Sequence, residues 1–331
     1  MKNILDTRPP FVKNLLLVGG FSRGGKLLLA NIINGFERVE PVQYHWYLEY
    51  LPFLEKFGLI DKKTAQELIR CGIDIHSYEM LIGRNLNHRI YDGSTIFKVP
   101  RYKEYLKRSK KKDTDAILKK FRRDNPYSFF MVHELMPNIK IYFDIFPHLK
   151  MIDIKRNPVD IVYAWYKRGL LRRLGKDPKI FMVLLKGKHG PMPWYAYGFK
   201  ESYHLLSEVE KTILSIKTLF EMYKKSYTAL PERFKKRILS VSFENLVFNN
   251  TNEVIENIGT FLNRNTLPEL KSILKREDVP RNAAHGKWCG KSEERFKCTD
   301  CKLEELKMLA SVKYINMLTK LKNEYEAGQT Y

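Results

Sequence analysis

No stretch of this sequence approaches the roughly eighteen consecutive apolar residues that a membrane-spanning helix needs. Cysteine is scarce, with four in 331 residues, which excludes a small scaffold held together by disulfides. The opening segment "MKNILDTRPPFVKN" lacks an apolar core ahead of a small-residue cleavage site. A secretory leader is therefore not expected, and a reducing cytoplasm is the expected location. There is no internal repeat and no low-complexity linker. Negative charge is also short: 37 acidic residues face 59 basic ones, for a formal net charge of +22. That imbalance points to an anionic partner, whether nucleic acid, acidic lipid, a phosphorylated cofactor or a sulfated or uronic glycan. Nucleic acid ranks low among these, because no helix-turn-helix and no paired aromatics on a sheet are visible.

What is present is an ordinary apolar share of 44% arranged in two kinds of run. Short continuous runs at 15–18, 129–132, 151–154 and 238–241 read as strands buried on both faces. Between them lie helical patterns at 26–34, 62–71, 113–122, 158–168, 208–230, 251–263 and 303–325. Strand alternating with helix predicts an α/β fold with a doubly wound, mostly parallel sheet flanked by helices. One domain over 1–331 is expected, with insertions near 44–125 and 166–205 and a cysteine-containing helical tail at 289–331.

The first strand opens into "VGGFSRGGKLLL", a glycine-rich turn leading into a helix. Backbone N–H groups at such a helix start, with the helix dipole behind them, favour a phosphate-like anion. Gly19 and Gly20 allow a tight turn, Gly24 and Gly25 are expected to let the anion approach, and Arg23 and Lys26 add charge. From Gly20 to Lys26 the loop satisfies most of a nucleotide-binding P-loop, but Leu27 stands where a Mg²⁺-binding hydroxyl is needed. A nucleotide kinase is the alternative that this match suggests.

The same loop resembles, without gaps, the "GGFPRSGTTLL" type of loop in sulfotransferases that use 3′-phosphoadenosine 5′-phosphosulfate (PAPS). Arg23 falls on the family arginine and Gly25 on its glycine, while Gly24 replaces a serine and Lys26 and Leu27 replace two threonines. "MIDIKRNPVDIVYAWY" is similar to the family element that holds the cofactor's 3′-phosphate, with Arg156 on its arginine and Ala164 where a serine is usual. "RILSVSFENLVFNNTNEVIENIGTFL" resembles the family's C-terminal strand–turn–helix. "HGKW", residues His285, Gly286, Lys287 and Trp288, resembles the loop that closes over the nucleotide. The resemblance spans roughly 14–290 and implies a P-loop-like sulfotransferase. PAPS would be held by Gly20, Phe21, Ser22, Arg23, Gly24, Gly25, Lys26, Leu27, Arg156 and the 285–288 loop. The product is 3′,5′-ADP, and the acceptor carries a hydroxyl or amine, a glycan being one candidate.

Sulfuryl transfer parallels phosphoryl transfer, so cations and N–H groups at the phosphosulfate and a base at the acceptor are what the protein must supply. Arg23 and Lys26 suit the first task, and no metal is required. His133, expected to end the strand "YSFFMVH", lies twenty-three residues before Arg156, close to the separation at which cytosolic sulfotransferases place a catalytic histidine. Met131 stands where a lysine usually precedes it. Glu40 in "ERVEPVQY" is the rival base, since several Golgi-type members place a glutamate there. The substitutions in the loop also keep open a non-catalytic polyanion-binding protein on the same scaffold.

Three features remain. His285, Cys289, Cys298 and Cys301 have side chains suited to Zn²⁺, although the eight-residue gap is short for a zinc ribbon and His285 also fits the nucleotide loop; a disulfide is an equal alternative, and inert thiols are favoured over both. Residues 101–123 form the densest basic run, either a solvated face or an attractor for a polyanionic acceptor. The aromatic run "YHWYLEYLPF" at 44–53 reads as core, though such rings also stack on sugars and phenols.

Overall fold

The computed structural model describes residues 9–281 and 298–328. The chain begins with β1 (Asn14–Gly20), α1 (Lys26–Ile33), β2 (Gln43–Tyr44), α2 (Tyr47–Lys56) and α3 (Lys62–Leu81). Next come α4 (Tyr102–Arg108), α5 (Asp115–Asp124), β3 (Tyr127–Met131), α6 (Ile139–Ile145), β4 (Lys150–Lys155) and α7 (Pro158–Lys167). Then follow β5 (Leu184–Gly187), β6 (Gly190–Pro193), α8 (Glu208–Thr228), α9 (Glu232–Lys235) and β7 (Ile238–Ser242). The last are α10 (Thr251–Leu262), α11 (Leu270–Glu277), α12 (Thr299–Lys307) and α13 (Val312–Glu326). They group into two compact units. The first takes the chain up to Gly20, then Gly25–Ile154 and Pro231–Arg281. The second takes Phe21–Gly24, Lys155–Leu230 and the described residues from 298 onward.

The first unit is built on a five-stranded sheet in the order β2-β3-β1-β4-β7. β1 runs parallel to β3 and β4 on either side, and β2 parallel to β3, giving the expected α/β class. Leu15, Leu16, Leu17 and Val18 are all fully buried, so β1 reads as a continuous apolar run rather than an alternating one. Each such side chain contributes roughly 1.5–3 kcal/mol by leaving water. Leu29, Ile32 and Ile33, spaced to share one face of α1, pack in a core with Phe129, Ile152, Ile258 and Leu262.

At the carboxyl edge of this sheet the Val132 amide donates to the Val18 carbonyl (3.0 Å) and the Glu134 amide to the Gly20 carbonyl (3.4 Å). His133 lies between them, two residues past Met131, the end of β3, and not on the strand's last position as expected. The pairing stops there because Glu134 adopts a left-handed φ of 42°, which turns the chain at once.

One expected helix is longer than its pattern and one helix was not expected. The helix expected over 62–71 runs on to Leu81, with Ile69, Ile73 and Met80 continuing its buried face. Gly72, a weak helix former, is accommodated because a Cβ there would sit 2.6 Å from the Tyr47 ring. α2 was not foreseen, since Pro52 lies inside it. Proline has no N–H to give the carbonyl of Leu48 one turn earlier. The buried Tyr142 hydroxyl of α6 donates to that carbonyl instead.

In the second unit α7 starts at Pro158, and the Asn157 side chain caps it by accepting from the Val159 amide (3.0 Å). α8 opens with a reciprocal Ser207–Glu210 capping box, and β5 and β6 form an antiparallel hairpin. The single helix expected over 303–325 is two helices, α12 and α13. Between them Ser311 is extended (ψ 154°) and its amide donates to the Glu210 carboxylate (3.1 Å), so it cannot continue the helix. Asp160 of α7 accepts from Thr299 (3.0 Å) and from Lys302 of α12. No described helix is long and apolar enough to cross a membrane.

Candidate active site

In the first unit the glycine loop begins and ends on positions that glycine alone fits well. Gly20 has φ 129° and a Cβ there would meet the Ile154 carbonyl at 2.5 Å. Gly25 has φ 102° and a Cβ would strike the Phe243 ring at 2.5 Å. Its glycine is therefore required by backbone shape and a packed ring. Gly25 caps α1 without any side chain. The Leu29 amide donates to the Gly25 carbonyl (3.0 Å), and the amides of Lys26, Leu27 and Leu28 precede it as helix-end donors. The Lys26 ammonium is buried and donates to the Gly20 carbonyl (2.7 Å), bridging the two ends of the loop. An ammonium has three donors, so this bond is compatible with a bound anion. Leu27 is half-buried and packs against Gly93, so no hydroxyl is offered there.

In the second unit the loop's middle is held by α7. The Gly24 amide donates back to the Phe21 carbonyl (2.9 Å), closing a tight turn. Phe21 is buried against Phe220 and Tyr223, with ring centroids 4.6 and 4.5 Å away. The Trp165 indole donates to the Ser22 carbonyl (2.8 Å) and Arg156 to the Arg23 carbonyl (3.0 Å). Arg23 is exposed, with a left-handed φ of 69°. Arg156, expected from sequence to meet a 3′-phosphate, holds the loop here, and Asp160 lies 3.9 Å from its guanidinium. Ala164, one helical turn further along α7, is half-buried.

Back in the first unit, His133 is met by a partner that sequence reasoning missed. The Glu49 Oε1 atom accepts from the His133 backbone N–H (2.8 Å) and lies 2.7 Å from its Nδ1. Tyr44 meets the imidazole edge-on at 5.2 Å. Burial, followed by the Glu49 charge, pushes the Tyr44 hydroxyl well above its ordinary range, so it stays protonated. One signal was available: Glu49 is the single acidic residue in the aromatic run 44–53.

A sulfotransferase domain model matches residues 14–326, nearly the whole chain. The chain belongs to the sulfotransferase family. PAPS-dependent sulfuryl transfer is general to that family, which makes this chain a sulfotransferase and removes the nucleotide-kinase alternative. No curated protein gave a match to the sequence. Among solved structures, similarity extends to the sulfotransferase domain of the curacin biosynthetic pathway, at 12% identity and a TM-score of 0.47, covering 97% of this chain and 99% of the other. The sulfotransferase domain of the Synechococcus PCC 7002 olefin synthase is similar at 12% identity and a TM-score of 0.43, covering 98% of each chain. Retinol dehydratase, solved with retinol and PAP, is similar at 14% identity and a TM-score of 0.36, covering 94% of this chain and 82% of the other.

The remaining candidates of this sulfotransferase are placed as follows. Glu40 is buried, accepts from the Tyr105 hydroxyl (2.9 Å) and lies 3.9 Å from Arg108. Burial raises its pKa, against the pull of Arg108 and the Tyr105 hydrogen bond. His285, Gly286, Lys287, Trp288 and Cys289 lie outside the described residues. Cys298 and Cys301 are joined as a disulfide at the start of α12, and no group able to hold a metal occurs among the described residues. The basic run 101–123 is not one solvated face. Tyr105, Arg108, Ile117 and Phe121 are buried, while Lys103, Lys107, Lys110, Lys111, Lys112 and Lys119 are exposed.

Proposed function

We propose that this sulfotransferase moves a sulfuryl group from PAPS to a hydroxyl-bearing, anionic acceptor, with His133 as general base. The observation that carries the assignment is the placement of His133 beside Gly20 on one edge of the sheet, bracketed by the Val132–Val18 and Glu134–Gly20 hydrogen bonds. Ligands of open α/β sheets bind at that carboxyl edge. The donor supplies an activated sulfuryl group. In the first unit the uncapped start of α1 and the Lys26 ammonium have the chemistry to hold its phosphosulfate. Arg23, and Arg156 for the 3′-phosphate, are assigned by the resemblance of their motifs alone. As the acceptor oxygen bonds to sulfur, its proton passes to His133, and the bond from sulfur to the nucleotide's phosphate oxygen breaks, releasing 3′,5′-ADP. Glu40 is less suited, because the carboxylate is enclosed with Tyr105 and Arg108.

The test uses labelled PAPS with a panel of hydroxyl acceptors, together with 3′,5′-ADP binding measured without Mg²⁺. His133→Ala is expected to keep 3′,5′-ADP affinity while turnover falls about a hundredfold or more. Full activity in that variant, with activity lost in Glu40→Gln, would move the base to Glu40. Tight 3′,5′-ADP binding with no sulfated product from any acceptor would favour a non-catalytic polyanion binder.

A further inference from the structure

We infer that Glu49 is a positioning residue for the reaction, orienting His133 so that Nε2 is the atom that takes the acceptor's proton. This rests on the reading of His133 as base and adds a second residue to it.

Glu49 Oε1 already accepts the His133 backbone amide, so the same oxygen acts as acceptor toward Nδ1, and Nδ1 carries a proton. In the neutral ring the lone pair then resides on Nε2. Holding both the amide and the ring of one residue fixes the ring's rotation as well as its tautomer. The imidazole side chain is 29% exposed and the Glu49 side chain 11%, so the carboxylate sits behind the ring while the ring reaches solvent. Tyr44 closes one flank edge-on, and Tyr50 follows Glu49 on α2. Glu134 adjoins the ring's own backbone. When the acceptor proton arrives, the ring becomes an imidazolium facing the Glu49 carboxylate, which stabilises the new charge. The proton stays on the histidine and the carboxylate gains none.

α2 is anchored for this purpose next to the residue in question. The Leu48 carbonyl, deprived of a helical donor by Pro52, is held by the Tyr142 hydroxyl. Glu49 is the next residue along the chain, so its backbone is fixed from α6.

The experiment measures kcat, donor KM and 3′,5′-ADP affinity in Glu49→Ala, Glu49→Gln, His133→Ala and the two double variants, using the full chain. Glu49→Ala is expected to lower kcat about tenfold or more with 3′,5′-ADP affinity unchanged. Glu49→Gln keeps an acceptor atom and should recover part of that loss. In the His133→Ala background neither substitution should lower the residual turnover further, because Glu49 acts through the histidine. Wild-type kcat in both Glu49 variants overturns the proposal while leaving His133 as base. An equal loss with and without His133 overturns it too, by marking the effect as structural. Wild-type turnover in His133→Ala alone removes the base assignment and this proposal together.

Discussion

His45 and His76 are stacked ring on ring, with centroids 3.6 Å apart and planes 14° from parallel. Burial, and then the neighbouring His76, lowers His45 to about 3 from an ordinary 6.5. Burial lowers His76 as well, opposed in part by Glu79. A histidine depressed in the folded state stabilises above its unfolded pKa, and that stability is lost as pH falls. For His45 the window runs from about 6.5 down to about 3. The melting temperature is therefore expected to fall on acidification from pH about 7 to about 5, with His45→Phe, which keeps a stacked ring but cannot charge, losing less. Parallel melting curves for the two proteins across that range would count against this account. The same residue scale shows where sequence reading stops. Arg23, Lys26, Arg156 and His133 are candidates the sequence offers because charged and titratable residues stand out beside glycines and strands. Glu49 is no different in type from any helical glutamate, and only the fold brings it to His133.

Among elements, α2 tests how a helix tolerates an internal proline. The Tyr142 hydroxyl is buried and its partner is the Leu48 carbonyl that Pro52 leaves without a helical donor. Tyr142→Phe should strand that carbonyl and cost about 1–3 kcal/mol, read as a lower urea midpoint. A midpoint equal to that of the unmodified protein would mean the carbonyl has another donor. β1, β3 and β4 were legible because their apolar runs are continuous and buried, whereas β7, expected to be buried on both faces, buries only Val241. α7 and α8 were legible because Asn157–Pro158 and the Ser207–Glu210 capping box mark their starts. β2, only two residues long, carries no periodic signal. The break between α12 and α13 falls at Ser311, a residue type suited to a helix start but weak as a signal alone, and Glu210, about a hundred residues away in sequence, accepts its amide.

At the scale of the whole molecule, a net charge of +22 and exposed lysines at 103, 107, 110, 111, 112 and 119 support an anionic acceptor. Such attraction is screened by salt. Raising ionic strength from about 0.01 M to about 0.1 M, which shortens the Debye length from about 30 to about 10 Å, should raise the KM of a polyanionic acceptor severalfold. The KM of an uncharged acceptor should hardly move. Equal behaviour of both acceptors would disconnect the charge from acceptor capture. The two compact units were not legible from sequence, and the reason is physical. Each is gathered from three separated stretches, so no change in composition marks a boundary.

That interleaving sets a schedule for the chain as it leaves the ribosome. β4 is complete by residue 155, yet its neighbour β7 is synthesised only at 238–242, after the whole stretch Lys155–Leu230 of the other unit has emerged. Through that interval the β4 edge has no strand beside it, and unpaired edges invite pairing with other chains. The lag falls on the strand leading into Arg156, so the sheet closes on this side only once residues 238–242 have been made.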